Sequence, residues 1–312
     1  MFDKQKYYNY IYHRLVLKHC DWESENLNEK RNAVLEEQLN TILDQIRFTY
    51  GFDLRRNARI NMEKFRIWRR ELGLPDADYY AYVATCFVVF CCLEDKILDS
   101  RRFSSDEKEA LCGELSLFWN REMLERCRFP EVWALGTQVA EFLAKQEKID
   151  SSRYLALKDK IDRAFSSETF LYHHPLSSFD GKLNLCCLTD KSVEFVAASF
   201  EIAAYDSDQN KIKEIAKLIG ELFWLIDDIC DFPADIEDGI MNSALIFCTD
   251  ISQEMPLYER IEHAAFHMEY MIRELECRNE YLERMVGAEL CRFIRNELWD
   301  WTLDVRKRVT KI

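Results

Sequence analysis

Residues Leu222-Phe223-Trp224-Leu225-Ile226-Asp227-Asp228-Ile229-Cys230-Asp231 run five apolar side chains directly into a block of carboxylates. Upstream, from Lys211, nothing interrupts a helical pattern, so the expected element is a helix over Lys211–Phe232. On such a helix Asp227 and Asp231, four residues apart, share one face. Like charges at that spacing repel by a few tenths of a kcal/mol when exposed, and by more at the edge of a core. A cation with oxygen ligands, Mg²⁺ above all, offsets that repulsion.

A second block of the same kind lies far upstream. Tyr82, Val83, Phe87, Val88 and Phe90 lead into Glu94-Asp95-Lys96-Ile97-Leu98-Asp99, where Asp95 and Asp99 repeat the spacing. The helix carrying them is apolar nearly all round, which puts it in the middle of a bundle. It is capped by Asp76 or Asp78 after the Gly73-Leu74-Pro75 turn. A lone Asp-x-x-x-Asp in an acidic protein is usually a solvated helix end. Two such pairs, each closing an apolar run, are far rarer together.

The rest of the chain agrees with an all-α fold. Only 8 Gly and 5 Pro occur in 312 residues, too few breakers for many strands and turns. Leu35, Leu39, Ile42, Leu43 and Ile46 form one stripe over Asn28–Phe48, which Gly51 and Phe52 end. Further helices are expected at Asn61–Leu72, from Ser104 or Ser105, and at Pro130–Gln146, Ser152–Ser166, Asp190–Tyr205, Glu259–Cys277 and Glu280–Val309. Pro233 disfavours helix beyond Phe232. His173 to Gly181 reads as a loop. No linker or repeat divides the chain, so residues 1–312 are read as one domain.

The formal net charge of −14 argues against nucleic acid as a partner. It also means that an anionic substrate needs a mediating cation. The N-terminus lacks the pattern of a secretory signal, and the longest apolar run, Val83–Leu93, is too short for a transmembrane segment. The 12 Cys include the pairs Cys91-Cys92 and Cys186-Cys187 but no C-x-x-C, and are read as buried thiols of a cytoplasmic protein.

With these residues in view, the chain resembles the class I terpenoid synthases, the superfamily that includes the trans-prenyltransferases. Asp227-Asp228-Ile229-Cys230-Asp231 looks like the second D-D-x-x-D motif. Asp190-Lys191-Ser192-Val193 is similar to the helix whose lysine contacts diphosphate, and Gly220 to Ile226 to the G-x-x-F-Q segment before the motif. Asp95 to Asp99, followed by Arg101-Arg102, resembles a reduced first motif. Two departures tilt the resemblance from chain elongation toward cyclisation. Phe52 to Arg59 offers arginines but no G-K-R, and R-R-G has become Arg101-Arg102-Phe103.

The resemblance implies a single-domain helical bundle with a central apolar cavity, the two motifs facing each other at its mouth, and three Mg²⁺ ions binding a prenyl diphosphate. Asp95, Asp99, Asp227 and Asp231 would carry catalysis as metal ligands, with Asp228 and Asp235 added to the ligand set. Asp235 falls at the last position of the cyclase pattern N-D-x-x-S-x-x-x-E, and Asp228 would orient a water or pair with a base. Lys191, Arg101 and Arg102 are the expected diphosphate contacts. Phe87, Phe90, Phe195, Phe223 and Trp224 are the expected aromatic lining, with Trp299 and Trp301 closing the far side and Asn242 and Ser243 closing over the site. Each of these rings also has an ordinary core role open to it.

The leading activity is therefore Mg²⁺-dependent ionisation of one allylic prenyl diphosphate, with release of pyrophosphate. A chain-elongating or head-to-head prenyltransferase and a non-catalytic helical binding protein are the alternatives, and a homodimer is open alongside a monomer. His263 and His267, four apart, lack the glutamate of H-E-x-x-H and any third ligand nearby in sequence, so zinc is set aside.

Overall fold

The computed structural model of the chain describes residues 2–16, 33–75, 78–120, 126–179, 184–207, 210–249 and 255–310. The expected start of the first long helix (28–32), Asp76 as a cap and the loop residues 180–181 lie outside them. The described chain is all-α, with no strand. Its helices are α1 (Lys4–Ile11), continued by a π turn over Tyr12–Val16, α2 (Ala33–Tyr50), α3 (Arg55–Glu71), α4 (Asp78–Asp99), α5 (Ser105–Leu115) and α6 (Pro130–Glu147). There follow α7 (Ser151–His173), α8 (Cys186–Ala203), α9 (Asn210–Asp238), α10 (Ala244–Phe247), α11 (Leu257–Phe266), α12 (Glu269–Met285) and α13 (Ala288–Thr310). Among the described residues no helix is long and apolar enough to cross a membrane.

The chain forms two compact units. The first comprises Met1–Glu25, Thr169–Val193 and Lys217–Ile312; the second comprises Asn26–Glu168 and Glu194–Ala216. In the second unit α4 packs against α2, α3, α5 and α6. Its nearly unbroken apolar surface is used on every side, and Val83, Phe87, Val89 and Phe90 are buried. Gly51, at a φ of 77° that side chains avoid, ends α2 as expected, and Ser104 caps α5 in a reciprocal box with Glu107. Arg69, buried on α3, grips Asp206 through two hydrogen bonds of 2.7 and 2.9 Å, so its charge is met inside the unit.

In the first unit α1 and its π turn pack on α13, α12 on α13, and α10 on α11. Several differences from the sequence expectation fall here. A helix at Lys4–Ile11 was not among those expected. The segment read as Glu259–Cys277 and Glu280–Val309 breaks instead at His267-Met268 and at Val286-Gly287. The first corner inserts Met268 fully into the core, and the second falls at an extended Val286 followed by glycine. Finally, α9 does not stop at Phe232 but runs through Pro233 to Asp238.

No disulfide joins the described cysteines. Cys86, Cys112, Cys230, Cys248 and Cys291 are buried as expected, whereas Cys186 and Cys277 are exposed. Cys186 lies in the first turn of α8, where only part of the helix circumference faces the core.

Candidate active site

The carboxylates of the second motif sit on α9 in the first unit. Leu222, Leu225, Ile226 and Ile229 are completely buried and fix which face of the helix is inward. Asp227, Asp231 and Asp235 are each partly exposed. They are close enough to act on one another: burial pushes the Asp235 carboxyl well up, the Asn242 hydrogen bond opposes this, and Asp228, Asp227 and Asp231 add to it. How closely α8 approaches this helix is set at Gly220. A β-carbon there would lie 2.4 Å from the Val193 carbonyl oxygen, so α8 and α9 cross in near backbone contact. That crossing sets Lys191, two residues before Val193, within electrostatic reach of Asp228.

Asp228 is differently placed from its neighbours. Its Oδ2 accepts from Trp224 Nε1 at 3.0 Å and from the Ser243 backbone N–H at 3.1 Å, and the Ser243 hydroxyl also donates to it. Burial raises its pKa, against Ser243, Trp224 and Lys191, which favour the charge. Asn242 Nδ2 donates to the Asp228 carbonyl at 3.1 Å and to Asp235 Oδ2 at 2.8 Å. Gly239, at a φ of 76°, ends α9 and lets the chain return so that Asn242 and Ser243 meet the helix they have just left.

The continuity of α9 past Pro233 has a specific cause. Proline has no N–H to give the carbonyl four residues back, here that of Ile229. The Tyr7 hydroxyl donates to that carbonyl at 2.7 Å, and the Tyr7 ring lies against Phe232. Asp235 thereby stays in helical register with Asp227 and Asp231. Next to Tyr7, the Tyr8 hydroxyl accepts a hydrogen bond from Arg308, and burial, then Asp231 and Asp235, raise the tyrosine pKa while Arg308 lowers it.

Trp301, expected on the far side, instead donates from Nε1 to Asp227 Oδ1 at 2.9 Å and meets Phe223 edge-to-face at 5.3 Å. Tyr7, Tyr8 and Trp301 as partners of the motif had no signal in the sequence. Asn242 and Ser243, expected to close over the site, bond Asp228 and Asp235.

The first cluster sits at the end of α4 in the second unit. Asp95 is partly exposed, Asp99 exposed and Glu94 buried. The Cys91 thiol is raised by burial and then by Glu94, Cys92, Glu168 and Asp95, which brings Glu168 of α7 to this cluster. Arg101 is exposed, and Arg102 donates to the Tyr50 carbonyl at 3.3 Å. Phe87 meets Phe195 at 5.7 Å, and Phe90 is packed by Trp133, Phe118 and Phe165. On the same unit a hollow of about 300 Å³ lies between α2 and α3, lined by Arg55, Arg56, Arg59 and Arg66 together with Glu36 and Glu63.

Among the described residues no group of three or more His, Cys, Asp or Glu side chains stands ready to hold a metal ion. The donors offered are all carboxylate oxygens, repelling one another. This suits a hard divalent cation that keeps part of its shell for waters and substrate phosphates, as Mg²⁺ does.

No protein-family profile and no curated protein sequence matches the chain. Solved structures do. One is a decaprenyl diphosphate synthase from Rhodobacter capsulatus, 11% identical, covering 98% of this chain and 99% of its own with a TM-score of 0.51. Another is a polyprenyl synthase from Caulobacter crescentus CB15, complexed with calcium and isoprenyl diphosphate. It is 13% identical and covers 86% of this chain and 92% of its own, with a TM-score of 0.50. At such identities the likeness is one of fold, and it extends over nearly the whole chain: the protein has the all-α fold of these two synthases.

Proposed function

We propose that the chain is a class I terpene synthase, acting on an allylic prenyl diphosphate with Mg²⁺. The observation that supports this most directly is the grouping of Asp227, Asp231 and Asp235 on one helix, within electrostatic reach of one another, with Lys191 near the same helix end. On the fold that the chain shares with two prenyl-chain synthases, that combination suits a diphosphate bound through cations.

In this reading Asp227, Asp231 and Asp235 would hold ions on the first unit, and Asp95 and Asp99 are the candidate ligands of the second. Asp228, whose Oδ2 already receives three donors, anchors the Asn242-Ser243 turn instead of ligating. The chemistry such ions supply when bound is neutralisation of the leaving diphosphate. Lys191 contacts its oxygens. The allylic C–O bond breaks with both electrons leaving on pyrophosphate. The rings of Phe223 and Trp224, on the helix that carries the aspartates, then exclude water and offer π faces to the carbocation, worth about 0.5–2 kcal/mol per ring. Cyclisation with proton loss, or capture of water, ends the reaction.

A second reading, chain elongation with a homoallylic diphosphate, is favoured by the four arginines around the α2–α3 hollow, three of them (Arg55, Arg56 and Arg59) on the stretch that lacks G-K-R. One experiment addresses both. The purified chain is incubated with geranyl, farnesyl or geranylgeranyl diphosphate and Mg²⁺, with and without isopentenyl diphosphate, and the products are read by mass spectrometry. Hydrocarbon or alcohol from a single diphosphate supports the synthase. A lengthened diphosphate only with the co-substrate supports elongation. No pyrophosphate release under any condition sinks both.

A further inference from the structure

The side chain of Trp301, on α13, bonds directly to the motif on α9. Its indole N–H reaches Asp227 Oδ1 at 2.9 Å, and its ring sits on Phe223, one helical turn before Asp227. The ring contact and the hydrogen bond together fix both the place and the angle of the indole. The segment behind it is held as well: Thr302 and Val305 are buried, and the Thr302 hydroxyl bonds the Trp299 carbonyl at 2.7 Å.

An indole N–H is a donor only and carries no charge. It cannot ligate a cation or take a proton from a carboxyl. What it does is occupy one lone-pair direction of Oδ1 and fix the rotation of the Asp227 carboxylate. Outer partners of this kind, which hold a ligating group at its angle, set metal affinity in many sites.

We infer that Trp301 is a positioning residue that orients the Asp227 carboxylate for metal-diphosphate binding. The inference rests on the function proposed above. Its test is calorimetric titration of inorganic pyrophosphate into the full chain at fixed excess Mg²⁺, repeated with EDTA, for the wild type, Trp301→Phe, Trp301→His, Asp227→Asn and the Trp301→Phe/Asp227→Asn double variant. Phenylalanine keeps a ring on Phe223 and removes the N–H; histidine keeps a ring N–H.

Trp301→Phe is expected to weaken Mg²⁺-dependent pyrophosphate binding by about 10–100-fold, with Trp301→His recovering part of the loss and the double variant no weaker than Asp227→Asn alone. The recovery by histidine separates orientation from a general loss of packing, which both substitutions share. Trp301→Phe binding within twofold of wild type, while Asp227→Asn binds poorly, overturns this inference alone. So does equal weakening by phenylalanine and histidine. A wild-type chain that binds no pyrophosphate in Mg²⁺, or an Asp227→Asn variant that binds as well as wild type, overturns the proposed function and this inference with it.

Discussion

The Tyr7 hydroxyl donates at 2.7 Å to the Ile229 carbonyl, the acceptor that Pro233 leaves without its helical donor. A residue near the N-terminus thus repairs the helix that carries the candidate metal ligands. Tyr7→Phe is expected to cost about 1–3 kcal/mol, the scale for leaving a buried polar group unsatisfied. In a Pro233→Ala background the missing N–H is restored, and the same substitution should cost about 1 kcal/mol less. Urea unfolding of the four proteins measures this. Equal cost in both backgrounds would show that the tyrosine does not stand in for the proline.

The neighbouring aspartates divide into two roles that stability and turnover separate. Asp227→Asn or Asp231→Asn should lower pyrophosphate release by roughly 100-fold or more, the scale of losing one preorganised electrostatic partner. Either change leaves Tm unchanged or slightly raised, since it removes like-charge repulsion. Ser243→Ala instead removes a hydroxyl donated to the half-buried Asp228 carboxylate and should cost about 1.5–3 kcal/mol of stability. A falling Tm in the first pair, or an unchanged one in the last, contradicts this assignment.

Gly220 permits the crossing of α8 and α9. A methyl group there would meet the backbone of Val193 at 2.4 Å, and backbone cannot swing aside as a side-chain tip can. Gly220→Ala is expected to destabilise by about 1–3 kcal/mol, as overpacking does, despite alanine's better helix propensity. Thermal unfolding decides the sign.

Glu269 ties α12 to the π turn through Arg14, with hydrogen bonds of 2.7 and 3.0 Å. Chiefly through those bonds its pKa falls to about 2. Because the folded value lies below the unfolded one, near 4.3, the contribution is present above about pH 4.5 and is lost as pH falls toward 2. The urea midpoint of the wild type should therefore drop more steeply across that window than that of Glu269→Gln. The effect is moderated by the partial exposure of the pair. Parallel profiles would remove Glu269 from the acid response.

Much of this protein was legible in local sequence. The scarcity of glycine and proline announced an all-helical chain, the Leu35–Ile46 stripe and the apolar run of α4 located helices, and Ser104 marked a start. The four-residue spacing of Asp227 and Asp231 placed them on one face. All of these are relations within a turn or two, which is the range over which helical periodicity operates. What the tertiary structure alone decided are relations between residues distant in the chain: Tyr7 filling the gap left by Pro233, Trp301 reaching Asp227, Ser243 claiming Asp228, and the corners at His267 and Val286. A proline's cost depends on whether another part of the fold supplies the lost donor, and an aspartate's role depends on which donors reach it. Neither is written in the residues on either side.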